Sequence, residues 1–332
     1  MANTAIRIGI LGAGAMATAH AAAYATMADV TVVGVFSRDL TRARRVAAVC
    51  QAEPFTDATA LIRNAAVDAV DVCLPSAIHH LFVVPALHEG KHVFCETPLA
   101  LSLDEARQML DAARRANRLL QVGLLMRSLG AYEHVKAATS SGAYGRLLSV
   151  ATWRLGSYLH PGAPDHKPHY SDPSTELMTF DFDFIRWVMG RPARLSASAA
   201  RTDRHIPGEI PALLAYDDGR HATVAASGLM PPGFPFTVGF RALFEKAAFH
   251  HHTVFGDGPP QSTFTIFEGE AEGKPVITPP RNPYQAELQR FVNCIRGRAD
   301  PELLDAERAI EALVLSIATQ RALEEGQSIE VG

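Results

Sequence analysis

The run Ile6-Arg7-Ile8-Gly9-Ile10-Leu11-Gly12-Ala13-Gly14-Ala15-Met16-Ala17 constrains this chain more than any other stretch. An apolar hexapeptide meets two glycines one residue apart. A segment of small residues with helical character, Ala15–Met27, follows. A continuous apolar run suits a strand covered on both faces, as in a parallel sheet. Gly12 permits a sharp turn, Gly14 lets the backbone approach a pyrophosphate, and Ala17 lets the helix lie close to the sheet, which is the GxGxxA form of the dinucleotide fingerprint. The start of the helix then offers unpaired amides and the positive end of its dipole to a phosphate. The same glycines argue against reading Ile6–Ala23 as the apolar core of a secretion signal.

The alternation continues downstream. Val30–Phe36, Ala69–Leu74, His92–Cys95 and Leu119–Gly123 read as strands. Between them Leu40–Val49 and His79–Glu89 read as helices, and Ser102 with Glu105 three residues later is a capping box that opens another. This rhythm predicts a doubly wound parallel sheet, a Rossmann domain, over residues 1–125. After Met126 the pattern changes. Leu147–Leu155, Arg194–Arg201, Pro211–Tyr216, His221–Ser227, Thr237–Phe244 and Phe264–Phe267 read as strands separated by Gly, Pro and Asp. His250–His252 falls on a further strand. Helices are expected at Tyr132–Ser140, Phe182–Met189, Gln285–Arg296 and Asp305–Glu324. Residues 126–332 are therefore expected to form an α+β domain with a large, mostly antiparallel open sheet.

Composition removes several function classes. A formal charge of -4 without a long basic run gives no footprint for nucleic acid. No apolar run reaches the ~18 residues of a membrane span. Cys50, Cys73, Cys95 and Cys294 form no CxxC pair and lie mostly beside apolar runs, so they read as reduced, mostly buried cysteines of a cytoplasmic protein.

The end of the second strand bears on cofactor choice. An NAD site usually places an acid there for the ribose 2′-hydroxyl. This chain has Ser37 and Arg38, with Arg42 one turn later. A hydroxyl and guanidinium groups suit a 2′-phosphate, so NADP is the expected cofactor and NAD the alternative.

Several segments together resemble one family. They are Gly9–His20 (GILGAGAMATAH), Cys73-Leu74-Pro75-Ser76 with His79, Gly90–Ala100 (GKHVFCETPLA), Ile185–Gly190 (IRWVMG), and an ending with Tyr284, Glu287, Phe291 and Ala306–Ser316. The chain is similar along nearly its whole length to the Gfo/Idh/MocA oxidoreductases. The resemblance implies a bound NAD(H) or NADP(H) and a sugar, cyclitol or related polyol as substrate. It also implies an open C-terminal sheet used for a homodimer or homotetramer. Cofactor contacts are expected at Gly12, Gly14, Ala15, Met16, Ser37, Arg38, Arg42, Leu74, Pro75, Ser76, His79, Glu96 and Thr97.

The acid-base half departs from the family pattern. A lysine in the EKP motif, and an aspartate and histidine four apart, manage the hydroxyl proton in the family. Here Thr97 stands at the lysine position, Glu176 at the aspartate and Phe180 at the histidine. Hydride removal from an alcohol needs a proton acceptor, and neither Thr97 nor Phe180 titrates near neutrality. Three readings follow: a rebuilt acid-base site, a substrate that needs no strong base, or a catalytically silent nucleotide- and ligand-binding or regulatory protein. The loop Tyr158–Asp172 carries His160, His166 and His169, whose spacing fits no standard metal pattern. Glu176, His169 and His160 are the expected catalytic residues. Trp153 and Arg154, just before this loop, either line the site or serve as sheet packing and surface charge.

Overall fold

A computed structural model describes residues 5–160, 172–203, 205–256, 258–278 and 281–331. The chain divides into two compact units, Met1–Ser128 with Pro280–Ile310, and Leu129–Pro279 with Glu311–Gly332. The first break lies close to the expected 125/126 boundary. The remainder is not one continuous C-terminal domain, because Pro280–Ile310 belongs to the first unit.

In the first unit β1 (Ile6–Leu11), α1 (Ala15–Ala25), β2 (Val30–Phe36) and α2 (Leu40–Cys50) follow one another. Next come β3 (Glu53–Phe55), α3 (Ala58–Arg63), β4 (Ala69–Val72), α4 (His80–His88), β5 (His92–Cys95), α5 (Leu103–Ala116) and β6 (Leu120–Val122). The strands lie in the order β3-β2-β1-β4-β5-β6, every neighbouring pair parallel. That is the dinucleotide-binding order, with its reversal between β1 and β4. Ile8, Ile10, Val70, Val72, Val93 and Phe94 are fully buried, as strands covered on both faces require. The Ser102 hydroxyl accepts from the Glu105 amide at 3.2 Å and opens α5 as its sequence predicts. β3 and α3 are too short to show a periodicity and escaped the sequence reading.

The second unit begins with α6 (Gly130–Ser141), β7 (Leu147–Leu155), α7 (Pro173–Glu176) and α8 (Met178–Met189). Strands β8 (Arg194–Ala197), β9 (Ala200–Arg201), β10 (Pro207–Ala215), β11 (His221–Ser227), β12 (Phe236–Phe244), β13 (Ala247–Phe255), β14 (Gln261–Glu268) and β15 (Lys274–Pro275) follow. Helices α9 (Pro283–Ile295) and α10 (Ala306–Glu325) and strand β16 (Ile329–Glu330) close the chain, α9 within the first unit. Ten strands form one sheet, ordered β15-β14-β13-β12-β7-β11-β10-β8-β16 with β9 beside β10. All neighbours are antiparallel except β7 and β11.

One face of this sheet is packed. Tyr132 on α6 stacks edge-on against Phe240 of β12 and Phe184 of α8 at ring distances of 4.8 and 4.7 Å. Alternate residues face the other way, where Leu243 and Phe267 stay 39% and 46% exposed. Trp153 lies on that outward side over Gly239, flanked by the rings of His250 and His252 at 5.9 and 6.2 Å. It is sheet packing. Its neighbour Arg154 points inward and is buried, which excludes a surface charge.

Candidate cofactor and acid-base site

The fingerprint glycines sit at the sheet's reversal point. Gly12 has φ +130°, and a Cβ there would lie 2.3 Å from the backbone oxygen of Cys73 on the neighbouring strand's extension. The turn is therefore closed to any side chain. Gly14 is exposed, and a Cβ on it would meet nothing within 4 Å. The chain itself does not fill that space, which leaves room for a group from outside. α1 starts at Ala15 with no side-chain cap and no acid in its first turn. The amides there remain available for an anion, which fits a pyrophosphate.

Ser37, Arg38 and Arg42 lie at the end of β2 and the start of α2. Arg38 and Arg42 are exposed. The nearest acid, Asp39, is spent on the helix: its carboxylate accepts from the amides of Thr41 at 2.8 Å and Arg42 at 3.2 Å. The Ser37 hydroxyl accepts from the Asp39 amide at 3.2 Å. The usual place of the ribose-binding acid thus carries a hydroxyl and cationic side chains.

The loop Leu74-Pro75-Ser76 follows β4, with Pro75 exposed and Leu74 and Ser76 half-buried. His79 supports it from behind and, at 0% exposure, cannot itself reach a ligand. Its Nε2 lies 2.7 Å from the Leu74 carbonyl oxygen, and its Nδ1 lies 3.3 Å from the Cys95 thiol and 3.1 Å from Leu99 O. Burial lowers the pKa of His79 and raises that of Cys95, so both groups are neutral. The neutral ring carries a single N–H, which donates to one of these two carbonyls, Leu74 O or Leu99 O. His79 so ties the loop after β4 to the turn after β5.

That second turn carries Glu96 and Thr97, both half-buried, before a cis Thr97–Pro98 peptide. The Thr97 hydroxyl donates to Gly123 O at 2.8 Å, and its amide donates to Glu96 Oε2 at 3.2 Å. Thr97 occupies the lysine position as a structural hydroxyl.

Behind this turn lies a cluster that the sequence reading did not find. His20 of α1 is fully buried, with Nδ1 2.9 Å from Asp71 Oδ2 and Nε2 2.8 Å from Glu96 Oε1. Burial is the largest single influence on His20 and opposes a charge, but Asp71 and Cys73 together outweigh it, and the net shift of its pKa is well upward. Cys73, whose thiol burial keeps protonated, lies 3.4 Å from Asp71 Oδ1. Glu287 on α9 is buried beside them. Two signals were present in the sequence: an aspartate inside the apolar strand AVDV, and the histidine closing the fingerprint segment.

The acid-base candidates belong to the second unit. Glu176 ends the short helix α7 and is half-buried. Asp172 caps that helix, accepting from the Ser174 amide at 2.8 Å and from Gln320 Nε2 at 2.9 Å. His160 is half-buried, its amide donating to Ser157 O at 2.9 Å. His166 and His169 lie outside the described residues. Phe180, at the family's histidine position, lies against the Arg154 guanidinium at 4.8 Å. Arg154 in turn donates from Nε to Asp181 Oδ2 at 2.7 Å. An ion pair under an aromatic ring therefore stands where the family pattern would place a proton carrier.

Comparison with known proteins agrees with this geometry. The family model described as an oxidoreductase family with an NAD-binding Rossmann fold matches residues 6–124, and that of the GFO/IDH/MocA C-terminal domain matches residues 132–250. Inositol 2-dehydrogenase 2 of Saccharopolyspora erythraea is 28% identical over 331 residues, covering 95% of this chain and 94% of the relative. The 1,5-anhydro-D-fructose reductase of Ensifer adhaerens is 26% identical over 83% of each chain. The WlbA dehydrogenase of Bordetella pertussis, solved with NADH and UDP-GlcNAcA, shares the fold at a TM-score of 0.82, with 21% identity and 98% of each chain covered. With both family models matched in order over its two units, the chain belongs to the Gfo/Idh/MocA family of NAD-binding oxidoreductases.

Proposed function

We propose that this protein is an NAD(P)-dependent oxidoreductase that moves a hydride between the nicotinamide and a ring carbon of a sugar, cyclitol or related cyclic oxygenated molecule. The observation that carries the reading is the pairing of an intact cofactor end with relatives named for inositol and anhydrofructose chemistry over most of the chain. NADP(H) is the preferred cofactor, on the strength of Ser37, Arg38 and Arg42 and of an Asp39 occupied in capping α2.

The hydroxyl proton is handled by Glu176 with a histidine of the preceding loop, His169 first and His160 second. A carboxylate is retained at position 176, whereas Thr97 and Phe180 hold no proton that can be exchanged near neutrality. The protein assembles as a homodimer or homotetramer through the outward sheet face, where Leu243 and Phe267 are exposed. Among the described residues no helix is long and apolar enough to cross a membrane, and four cysteines without a disulfide suit the cytoplasm.

The test is a panel of cyclic polyols, keto-sugars and inosose-type ketones, assayed through the nicotinamide absorbance with NADP+ or NADPH. A hit should lose about 10²–10⁴-fold in kcat on Glu176→Gln while cofactor affinity survives. Tight ternary binding with no turnover across the panel would remove the enzymatic reading. Full rate in the variant would remove Glu176 from the mechanism.

A further inference from the structure

The cluster behind the Glu96–Thr97 turn holds more acid than its cation can neutralise. His20 is its one imidazolium, and Asp71 and Glu96 sit on its two nitrogens. Glu287 adds a third carboxyl, 1% exposed, from α9. The Oε2 atom of Glu287 is buried without a hydrogen-bond partner, and Glu96 Oε1, also buried, faces His20 Nε2 at 2.8 Å. One carboxylate oxygen of each glutamate and one ring nitrogen of His20 all lie within 4.8 Å of one another. Two carboxylate oxygens facing each other in a dry pocket repel, unless a proton lies between them.

We propose that Glu287 is a carboxylic acid that shares its proton with Glu96, and that this buried acid–carboxylate pair, braced by the His20 cation, fixes the charge and position of the Glu96–Thr97 turn. With one proton the cluster of Asp71, Glu96, Glu287 and His20 carries a single net negative charge. Without it the same pocket would carry two. Glu287 is on this view a positioning residue for the cofactor-facing turn, a role that rests on the cofactor reading above. The proton itself does not.

The surroundings support the pair. Burial first, and the Glu96 charge second, hold the Glu287 carboxyl well above the usual carboxylate range, with Asp71 adding to the shift and His20 opposing it. The other titratable groups facing it, the Tyr24 phenol and the Cys73 thiol, are kept neutral by burial. A divalent ion fits less well. Two donors bound to one tetrahedral zinc stand about 3.4 Å apart, whereas His20 Nε2 and Glu96 Oε1 are at 2.8 Å, the distance of a direct ion pair.

The experiment uses the whole protein without cofactor. Infrared spectra at pH 7 should show a protonated-carboxyl band in the wild type, persisting to pH 8 and absent from Glu287→Gln. Glutamine matches the protonated glutamate in size and keeps a donor on the buried side chain. In urea titrations the folding constant of Glu287→Gln relative to wild type should rise about tenfold per pH unit between the ordinary glutamate value near 4.3 and the raised folded-state value, and level off above it. The sign follows from a raised folded-state pKa: the wild type takes up a proton on folding and loses stability as pH rises, and the variant does not. A wild type without the band, a ratio that stays flat with pH, or one equivalent of divalent metal released by acid would each overturn the pair. Should the variant fail to fold, the wild-type spectrum decides alone. None of these readouts needs turnover, so a protein that shows the band yet reduces nothing refutes the proposed activity and leaves the pair standing.

Discussion

Removing one member of the Arg154–Asp181 pair should destabilise the second unit very unequally, depending on which member goes. Arg154 is 5% exposed and Asp181 1%, joined by a 2.7 Å bond from Nε. Deleting one partner of a buried pair costs about 3–5 kcal/mol, because an uncompensated charge stays behind. The two charges differ in what they can then do. A guanidinium cannot lose its proton inside a protein. A carboxyl can gain one, and burial already holds that of Asp181 above its ordinary value despite Arg154. Asp181→Leu should therefore cost about 4–5 kcal/mol, near the top of that range, and Arg154→Met about 2–3 kcal/mol, because Asp181 then neutralises itself. The double variant should cost less than the sum, since no charge remains. In Arg154→Met the folded-state pKa of Asp181 rises further, so its stability is greatest below the unfolded value near 3.9 and falls as pH climbs toward the folded one. Both tryptophans of the chain, Trp153 and Trp187, lie in this unit, so urea unfolding followed by tryptophan fluorescence reads it directly. Equal costs for the two single variants, or strict additivity in the double, would refute the reasoning.

Two further outcomes concern the cofactor. Arg38→Ala should weaken NADPH by about 1–3 kcal/mol, the worth of a charged hydrogen bond, and leave NADH nearly unchanged in fluorescence titrations; tighter NADH binding by the wild type would end the NADP preference. Gly12→Ala and Gly14→Ala should part company in thermal melts and NADPH titrations. The first forces a Cβ to 2.3 Å from Cys73 O at φ +130° and should lower both stability and binding, whereas the second opens onto empty space and should spare stability within about 0.5 kcal/mol while weakening the cofactor.

The fold was largely legible because its strands advertise themselves. A parallel strand buried on both faces reads as an unbroken apolar run, and IRIGIL, VTVVGVF and HVFC do so. The short pieces at the edge, Glu53–Phe55 and Ala58–Arg63, hold too few residues for any period to emerge. The return of α9 to the first unit was also hidden, since an amphipathic helix shows which face it buries but not against what. At the site, the glycine turn and the capping Asp39 follow from local chemistry alone. His79 was expected to face the cofactor and instead braces two loops, a difference set by contacts with Leu74, Cys95 and Leu99 that lie 5 to 20 positions away in sequence. The buried cluster needed four separate segments to meet, and no one of them is unusual enough to announce it.

The position of α9 has a consequence for how this protein must be made. Its Leu288, Phe291 and Val292 are fully buried, and Phe291 stacks on Phe94 of β5 at 5.6 Å. A ribosome that has finished all six parallel strands has therefore not finished the domain they belong to. All of the second unit's sheet except β16 must emerge before the helix that seals Phe94 and shields His20 leaves the exit tunnel. During that interval the nascent nucleotide-binding half exposes an apolar seam and an unshielded pocket of charge. Synthesis order thus keeps the first-translated half incomplete until most of the second unit has been made, with apolar surface open to wrong contacts in the meantime.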